Sequence, residues 1–244
     1  MTDYQVPEKY RVLSGSALKL IALITMIIDH IGAFLLVVWE PAVKPIFAAA
    51  PAWLTLYAIC RTIGRAAFPI YCFLVAEGAR YTHSRKRYGI NLLGFALLSE
   101  IPWNLVHSGT LRYERQNVFF TLFLGFLCIC VCEKLREKPF LGLVALVTLI
   151  AFAEYFHADY GSKGMALIVL MYALREKTAV RTVTGCCMLG SPVRELPGFL
   201  LLWLYNGKRG FIQGKAGKYF FYAAYPLHIL ILYLIRSHIF GYDG

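Results

Sequence analysis

The chain has 244 residues, of which 59% are hydrophobic and only 16% are charged. Soluble domains carry about 25% charged residues, so the composition excludes an ordinary water-soluble fold and points to a polytopic α-helical membrane protein. The net charge of +11 does not argue for nucleic acid, because no recognition motif accompanies it and basic residues collect in the cytoplasmic loops of membrane proteins.

Residues 1–13, with Lys9 and Arg11, read as an interfacial cytoplasmic segment. Ser14, Gly15 and Ser16 then open a first span at 18–38. The AAAP at 48–51 resembles a cleavage site. The apolar run before it is too long for a signal peptide and contains Asp29-His30, so the span is expected to be retained. A proline-containing loop at 39–52 precedes the short apolar stretch WLTLYAICRTIGR. Further spans are expected at 66–79, 90–107, 117–133, 139–156, 164–174 and 219–235, with a Gly/Pro-broken stretch from 182 to 205.

The fold class is therefore all-α: one domain over 1–244, a polytopic bundle of about eight to ten transmembrane or re-entrant helices. Charge asymmetry constrains its path. With the N-terminus inside, a separate crossing by 53–64 would leave Arg80, Arg85, Lys86 and Arg87 outside. The segment 45–63 is thus expected to be re-entrant or interfacial. Lys134, Arg136, Lys138, Arg175, Lys177 and Arg181 then lie inside. The loop 206–218 joins them only if 182–205 forms a hairpin or re-entrant pair. No internal repeat supports a transporter built from inverted halves.

The seven cysteines lie mostly in apolar runs and form no disulfide framework. In CICVC only Cys128 and Cys132 share a helical face, and without nearby His or paired CxxC spacing no metal site is expected.

Charged groups inside spans are rare without a reason, since each costs about 2.5–3.5 kcal/mol on insertion scales. Lys19 and His30 are eleven residues apart, which places them on one helical face about 16 Å apart. Lys19 can snorkel to the headgroups, whereas His30 lies deep enough to act as a general base, with Asp29 a candidate to orient it. Glu77 is spaced to pair with Arg80, beside a dense basic patch of Arg80, Arg85, Lys86 and Arg87. That patch either fixes topology or holds phosphates. Glu100 and Asn104 share a face, as do Asn117 and Thr121. Such pairs glue helices together or line a substrate cavity. Asp159, Lys163, Tyr225 and His228 lie near span ends, and a lone interior histidine such as His228 is commonly structural.

The segments LKLIALITMIIDHIGA, GRAAFPIYCFLVAEGARYT, ALLSEIPWNL, NVFFTLFLG, ADYGSKGMALIV, LYNGKRG and KYFFYAAYPLHILILYLI together resemble the TraX family, in order from Leu18 to Arg236. That family is associated with acetylation of the amino terminus of conjugative pilin. It resembles broader transmembrane acyltransferases, including sugar O-acetyltransferases and the lysosomal heparan glucosaminide acetyltransferase. Those enzymes carry a basic residue ten intervening positions before a first-span histidine, as Lys19 and His30 are here. They also have arginines in a cytoplasmic loop after the second span, implicated in acyl-coenzyme A binding; Arg85 to Arg87 occupy the matching place, as SRKR rather than R-x-x-R.

The resemblance implies an integral-membrane acetyltransferase of the bacterial cytoplasmic membrane, N-terminus inside. It would take acetyl-CoA as co-substrate, use no metal, and act on a small amine, sugar or peptide acceptor. His30 and Asp29 are the catalytic candidates. Lys19, Arg80, Arg85, Lys86 and Arg87 are the candidates for coenzyme A, and Glu77, Glu100, Asn104, Asn117 and His228 those for the acceptor. The bilayer is the expected environment, nucleic acid is not an expected partner, and a homo-oligomer is compatible with the sequence. A proton-coupled small-molecule transporter and a non-enzymatic scaffold are the rival readings.

Overall fold

The computed structural model describes residues 6–37 and 55–241. The expected loop at 39–52 and the 45–54 part of the re-entrant segment lie outside the described residues. Among the described residues there are ten α-helices and no strand.

Helix α1 (Gly15–His30) begins where the Ser14 hydroxyl accepts a hydrogen bond from Ala17 N at 3.2 Å. It continues without a break into a π-helical segment, Ile31–Leu36. The 22 residues from Gly15 to Leu36 extend about 33 Å, enough to cross the hydrocarbon core.

Helix α2 (Leu56–Gly64), capped by Thr55, runs into α3 (Ala67–Tyr81) through a tight turn. There Arg65 N and Ala66 N bond to the carbonyls of Thr62 and Ile63 at 3.3 Å. Leu56–Tyr81 is consequently one bent, 26-residue stretch, long and apolar enough to cross once. The turn keeps the backbone hydrogen-bonded through the bend, so the described part of the expected 45–63 segment runs directly into the helix expected at 66–79. Two glycines let α2 lie against the first span. A Cβ on Gly32 would sit 2.8 Å from that of Cys60, and one on Gly64 would sit 2.2 Å from the Asp29 side chain.

Helix α4 (Arg85–Ser108) starts at a Ser84 cap, and α5 (Val118–Lys134) at an Asn117 cap. Next come α6 (Pro139–Tyr155) and α7 (Gly161–Ala173). Helices α8 (Thr178–Leu189) and α9 (Pro192–Trp203) meet at Gly190, whose φ of 79° requires glycine or strain. The Trp203 indole N–H donates to Thr182 Oγ1 at 2.7 Å, and Phe199 packs on Gly185. The 182–205 stretch is thus a helical hairpin, the arrangement that returns the chain to the face it left. Helix α10 (Gly214–Phe240) is 27 residues long and closes the bundle along α4, where the Arg236 guanidinium donates to the Val106 carbonyl at 2.8 Å.

Gly15–Leu36, Leu56–Tyr81, Arg85–Ser108 and Gly214–Ile239 are long and apolar enough to span a bilayer, so the chain is an integral membrane protein. Its core holds Leu18, Ala22, Ile70, Ala96, Leu167, Phe199 and Ile229, all fully buried. By contrast α6 leaves Phe140, Leu143, Val144 and Val147 exposed, a surface suited to lipid rather than water.

The basic loops collect at one end. Leu13 N bonds to the Leu204 carbonyl and Gly15 N to the Lys208 carbonyl, both at 2.8 Å. The Tyr205 hydroxyl donates to Glu77 at 3.2 Å, Arg80 pairs with Glu176 at 3.3 Å, and Arg85 pairs with Glu133. The N-terminus of α1, the α3–α4 connection, the C-terminal ends of α5 and α7, and the 204–213 loop therefore share one face.

Candidate functional site

His30 sits at the last turn of α1, where the backbone widens into the π-segment. Such local departures from α-geometry are frequent at functional sites. Its Nδ1 lies 2.6 Å from His228 Nε2, and His228 Nδ1 lies 2.7 Å from the Ala224 carbonyl. These contacts assign the protons. A carbonyl oxygen only accepts, so His228 carries its proton on Nδ1 and offers an Nε2 lone pair. His30 must then donate from Nδ1, which leaves its own Nε2 unprotonated. The rings are within 10° of parallel with centroids 4.9 Å apart, as an edge-to-edge N–H···N bond requires.

His30 borders a cavity of about 380 Å³, and His228 stands behind it. An aromatic wall surrounds the imidazole: Phe34 at 5.4 Å and Tyr225 at 6.1 Å between ring centroids. His107 lies further along that wall, stacked on Tyr113 at 4.4 Å. His107 Nδ1 donates to the Trp103 carbonyl at 2.8 Å, so its Nε2 is also left as an acceptor.

Asp29 points away from His30 and pairs with Arg61 of α2. The spacing of adjacent helical residues, about 100°, explains why the two cannot share one direction. The second carboxylate oxygen, Oδ1, is buried with no hydrogen-bond partner among the described residues. Arg65, at the α2–α3 bend, and Arg115, in the loop before α5, line the same cavity, as do Asp159 and Tyr160 from the α6–α7 connection. Burial pushes the Asp159 carboxyl up to about 6, against the opposing pull of Arg115, Arg65 and Arg61.

The family model described as TraX protein matches residues 14–236, from the start of α1 to within the last turns of α10. The chain belongs to the TraX family. It is also 25% identical, over 248 aligned positions, to a chain of Dichelobacter nodosus named "Probable fimbrial assembly protein FimC, serogroup H1". That alignment covers 90% of this chain and 94% of the relative. No solved structure matches.

In this TraX protein the residues singled out in the sequence divide into three groups. His30, Asp29 and His228 meet at the cavity or directly behind it. Arg80, Arg85, Lys86 and Arg87 lie on the basic face. Arg80 and Arg85 already hold carboxylates, whereas Lys86 and Arg87 make no ion pair among the described residues. Lys19, half-buried, lies towards that face within electrostatic reach of Arg209.

Glu77, Glu100, Asn104 and Asn117 stand away from the cavity wall. Glu77 accepts from Tyr205. Glu100 accepts from Asn117 N at 3.0 Å and from its side-chain amide, while that amide also donates to the Ala96 carbonyl at 2.8 Å. Asn104 donates to the Leu111 carbonyl at 3.0 Å. These bonds tie α4 to the start of α5 and to the loop between them.

Arg61, Arg65, Arg115, Trp103, His107 and Tyr113 were not legible as site residues. Arg61 and Arg65 lie at the end of the short apolar stretch WLTLYAICRTIGR, and Arg115 lies in the loop ahead of α5. Folding α2 back against α1 brings Arg61 to Asp29, and the loop ahead of α5 brings Arg115 to the same cavity.

Proposed function

We propose that this protein is an integral-membrane acetyltransferase that moves an acetyl group from acetyl-CoA to an amine or hydroxyl, with His30 as general base. The observation that carries the reading is the chain Ala224 carbonyl–His228–His30. It holds His30 in the one tautomer whose Nε2 can accept a proton on the cavity side. The relative's name ties that protein to fimbrial assembly. The pilin acetylation associated with the TraX family points the same way, towards a pilin or other peptide amine as acceptor.

The transfer balances simply. The acceptor nitrogen or oxygen attacks the thioester carbonyl and its proton passes to His30 Nε2. The carbon–sulfur bond breaks, and the leaving thiolate takes that proton as free coenzyme A. Asp29 acts on this step through Arg61, by fixing α2 against the cavity, rather than by contact with His30.

By the positive-inside rule the basic face would be cytoplasmic and the N-terminus inside, and the fimbrial-assembly relative supports a bacterial inner membrane as the location. Coenzyme A phosphates would bind Lys86 and Arg87, with Arg80, Arg85 and Lys19 adding charge, and the pantetheine arm would follow α1 inward. Leu18, Ala22, Leu23 and Met26 pack tightly along that route. The reading therefore requires Leu23 and Met26 to swing aside when the donor binds. Binding of coenzyme A to the detergent-purified chain, followed as a thermal shift, tests this directly. Stabilisation that is weakened in a Lys86→Gln/Arg87→Gln variant supports the reading. No stabilisation favours the proton-coupled transporter, for which two bonded imidazoles also suit a proton relay.

A further inference from the structure

The cavity beside His30 carries more positive charge than the transfer chemistry uses. Three arginines, Arg61, Arg65 and Arg115, face two aspartates, Asp29 and Asp159. Arg61 is taken up by Asp29. Neither the Arg65 nor the Arg115 guanidinium has an ion pair among the described residues. They come from different elements, the α2–α3 bend and the loop ahead of α5, and are brought to one cavity by the fold. Arg65 is half-buried and Arg115 exposed, both at the cavity and away from the basic face. Each is drawn electrostatically to Asp159 without closing an ion pair with it, which leaves guanidinium donors for a ligand. The guanidinium fork matches a carboxylate or phosphate in a way a solvated lysine does not.

We propose that Arg65 and Arg115 form an oxyanion-binding subsite, and that the acceptor carries a carboxylate or phosphate close to its reactive amine or hydroxyl. The word acceptor rests on the acetyl-transfer reading, whereas the anion subsite does not. A cavity of about 380 Å³ admits the reactive end of such a molecule, with the rest extending through the mouth. Trp103, Tyr113 and Phe34 supply the apolar wall against which that end would pack.

The test is calorimetric titration of the detergent-purified full chain at pH 8 with three probes: sulfate, methyl phosphate and propionate. Saturable binding of at least one probe is expected. It should fall about tenfold or more in Arg65→Gln and in Arg115→Gln, and be only partly restored in Arg65→Lys and Arg115→Lys, which keep the charge but lose the fork. His30→Ala should bind the probes as the wild type does. Failure of acetyl transfer and failure of the subsite are thereby distinguishable. Tighter methyl phosphate supports a phosphate-bearing acceptor, and equal or tighter propionate supports a carboxylate-bearing one. Three results would overturn the proposal: no saturable binding of any probe, affinity unchanged in both glutamine variants, or affinity lost in Lys86→Gln/Arg87→Gln while the cavity variants keep it. Thermal unfolding of each variant verifies that a lost signal is not a lost fold.

Discussion

His30 Nδ1 and His228 Nε2 are 2.6 Å apart although 198 residues separate them in the chain. The second histidine thus orients the first. Replacing His228 with Ala removes the acceptor that fixes the His30 tautomer without touching the cavity wall. The expected outcome is a fall in kcat of about 10–100-fold with KM little changed, together with an altered pH profile. Unchanged kinetics and pH profile would show that the bond has no part in the chemistry.

Gly64 and Asp29 are in contact so close that a methyl group cannot enter. A Cβ at Gly64 would fall 2.2 Å from Asp29 Oδ1. Gly64→Ala should therefore push α2 from α1, weaken the Asp29–Arg61 pair and lower stability by about 1–3 kcal/mol. Thermal unfolding in detergent reads this, and a wild-type melting temperature would contradict the packing described.

Glu100 and Asn117 belong to the scaffold rather than to the cavity. Glu100→Ala leaves the Asn117 backbone N–H and side-chain amide without their carboxylate acceptor and should destabilise by about 1–3 kcal/mol. Glu100→Gln keeps an acceptor oxygen in place and should lose much less. A melting temperature equally low in both variants would point instead to a role for the charge.

Asp159 couples the anion subsite to pH. Its carboxyl, pushed up by burial to about 6, is ionised at pH 8 and protonated at pH 5. Asp29, His30, Arg61, Arg65, Tyr71, His107, Tyr113, Arg115, Tyr160 and Tyr225 share its cavity, and the Asp159→Asn variant separates its titration from that of the two histidines. Losing this negative charge strengthens attraction for an anion, so sulfate should bind about tenfold tighter at pH 5 than at pH 8. Sulfate stays doubly charged throughout, and the titration is therefore the protein's own. In Asp159→Asn the dependence should be largely gone, with tight binding at both pH values; a dependence as steep as in the wild type would assign it to other groups.

Much of this architecture is legible in the sequence, because bilayer physics leaves few options. Apolar runs of spanning length must be helices, and basic clusters such as Arg85–Lys86–Arg87 mark a common face. A hairpin or re-entrant pair at 182–205 is the condition for bringing Lys208 and Arg209 to that face, and the stretch is a helical hairpin. Eleven-residue spacing put Lys19 and His30 on one side of α1, but spacing within a helix says nothing about its neighbours. The pairing of Asp29 with Arg61, and of His30 with His228, depends on how α2 and α10 pack, which no local pattern encodes. For the same reason nothing in the sequence singles out Arg65 and Arg115. Glu100, Asn104 and Asn117 carried the right spacing for both of their readings, and only the tertiary contacts separate helix glue from cavity lining.

The most direct measurement concerns His30 itself. Membrane vesicles bearing the wild-type chain or His30→Ala are incubated with acetyl-CoA labelled in its acetyl group. Label transferred to any product other than coenzyme A is counted, with protein level and coenzyme A binding measured in parallel. The expected result is transfer by the wild type and a fall to the level of vesicles lacking the protein for His30→Ala, with folding and donor binding intact. Wild-type transfer by His30→Ala would contradict the assignment of His30 as the base.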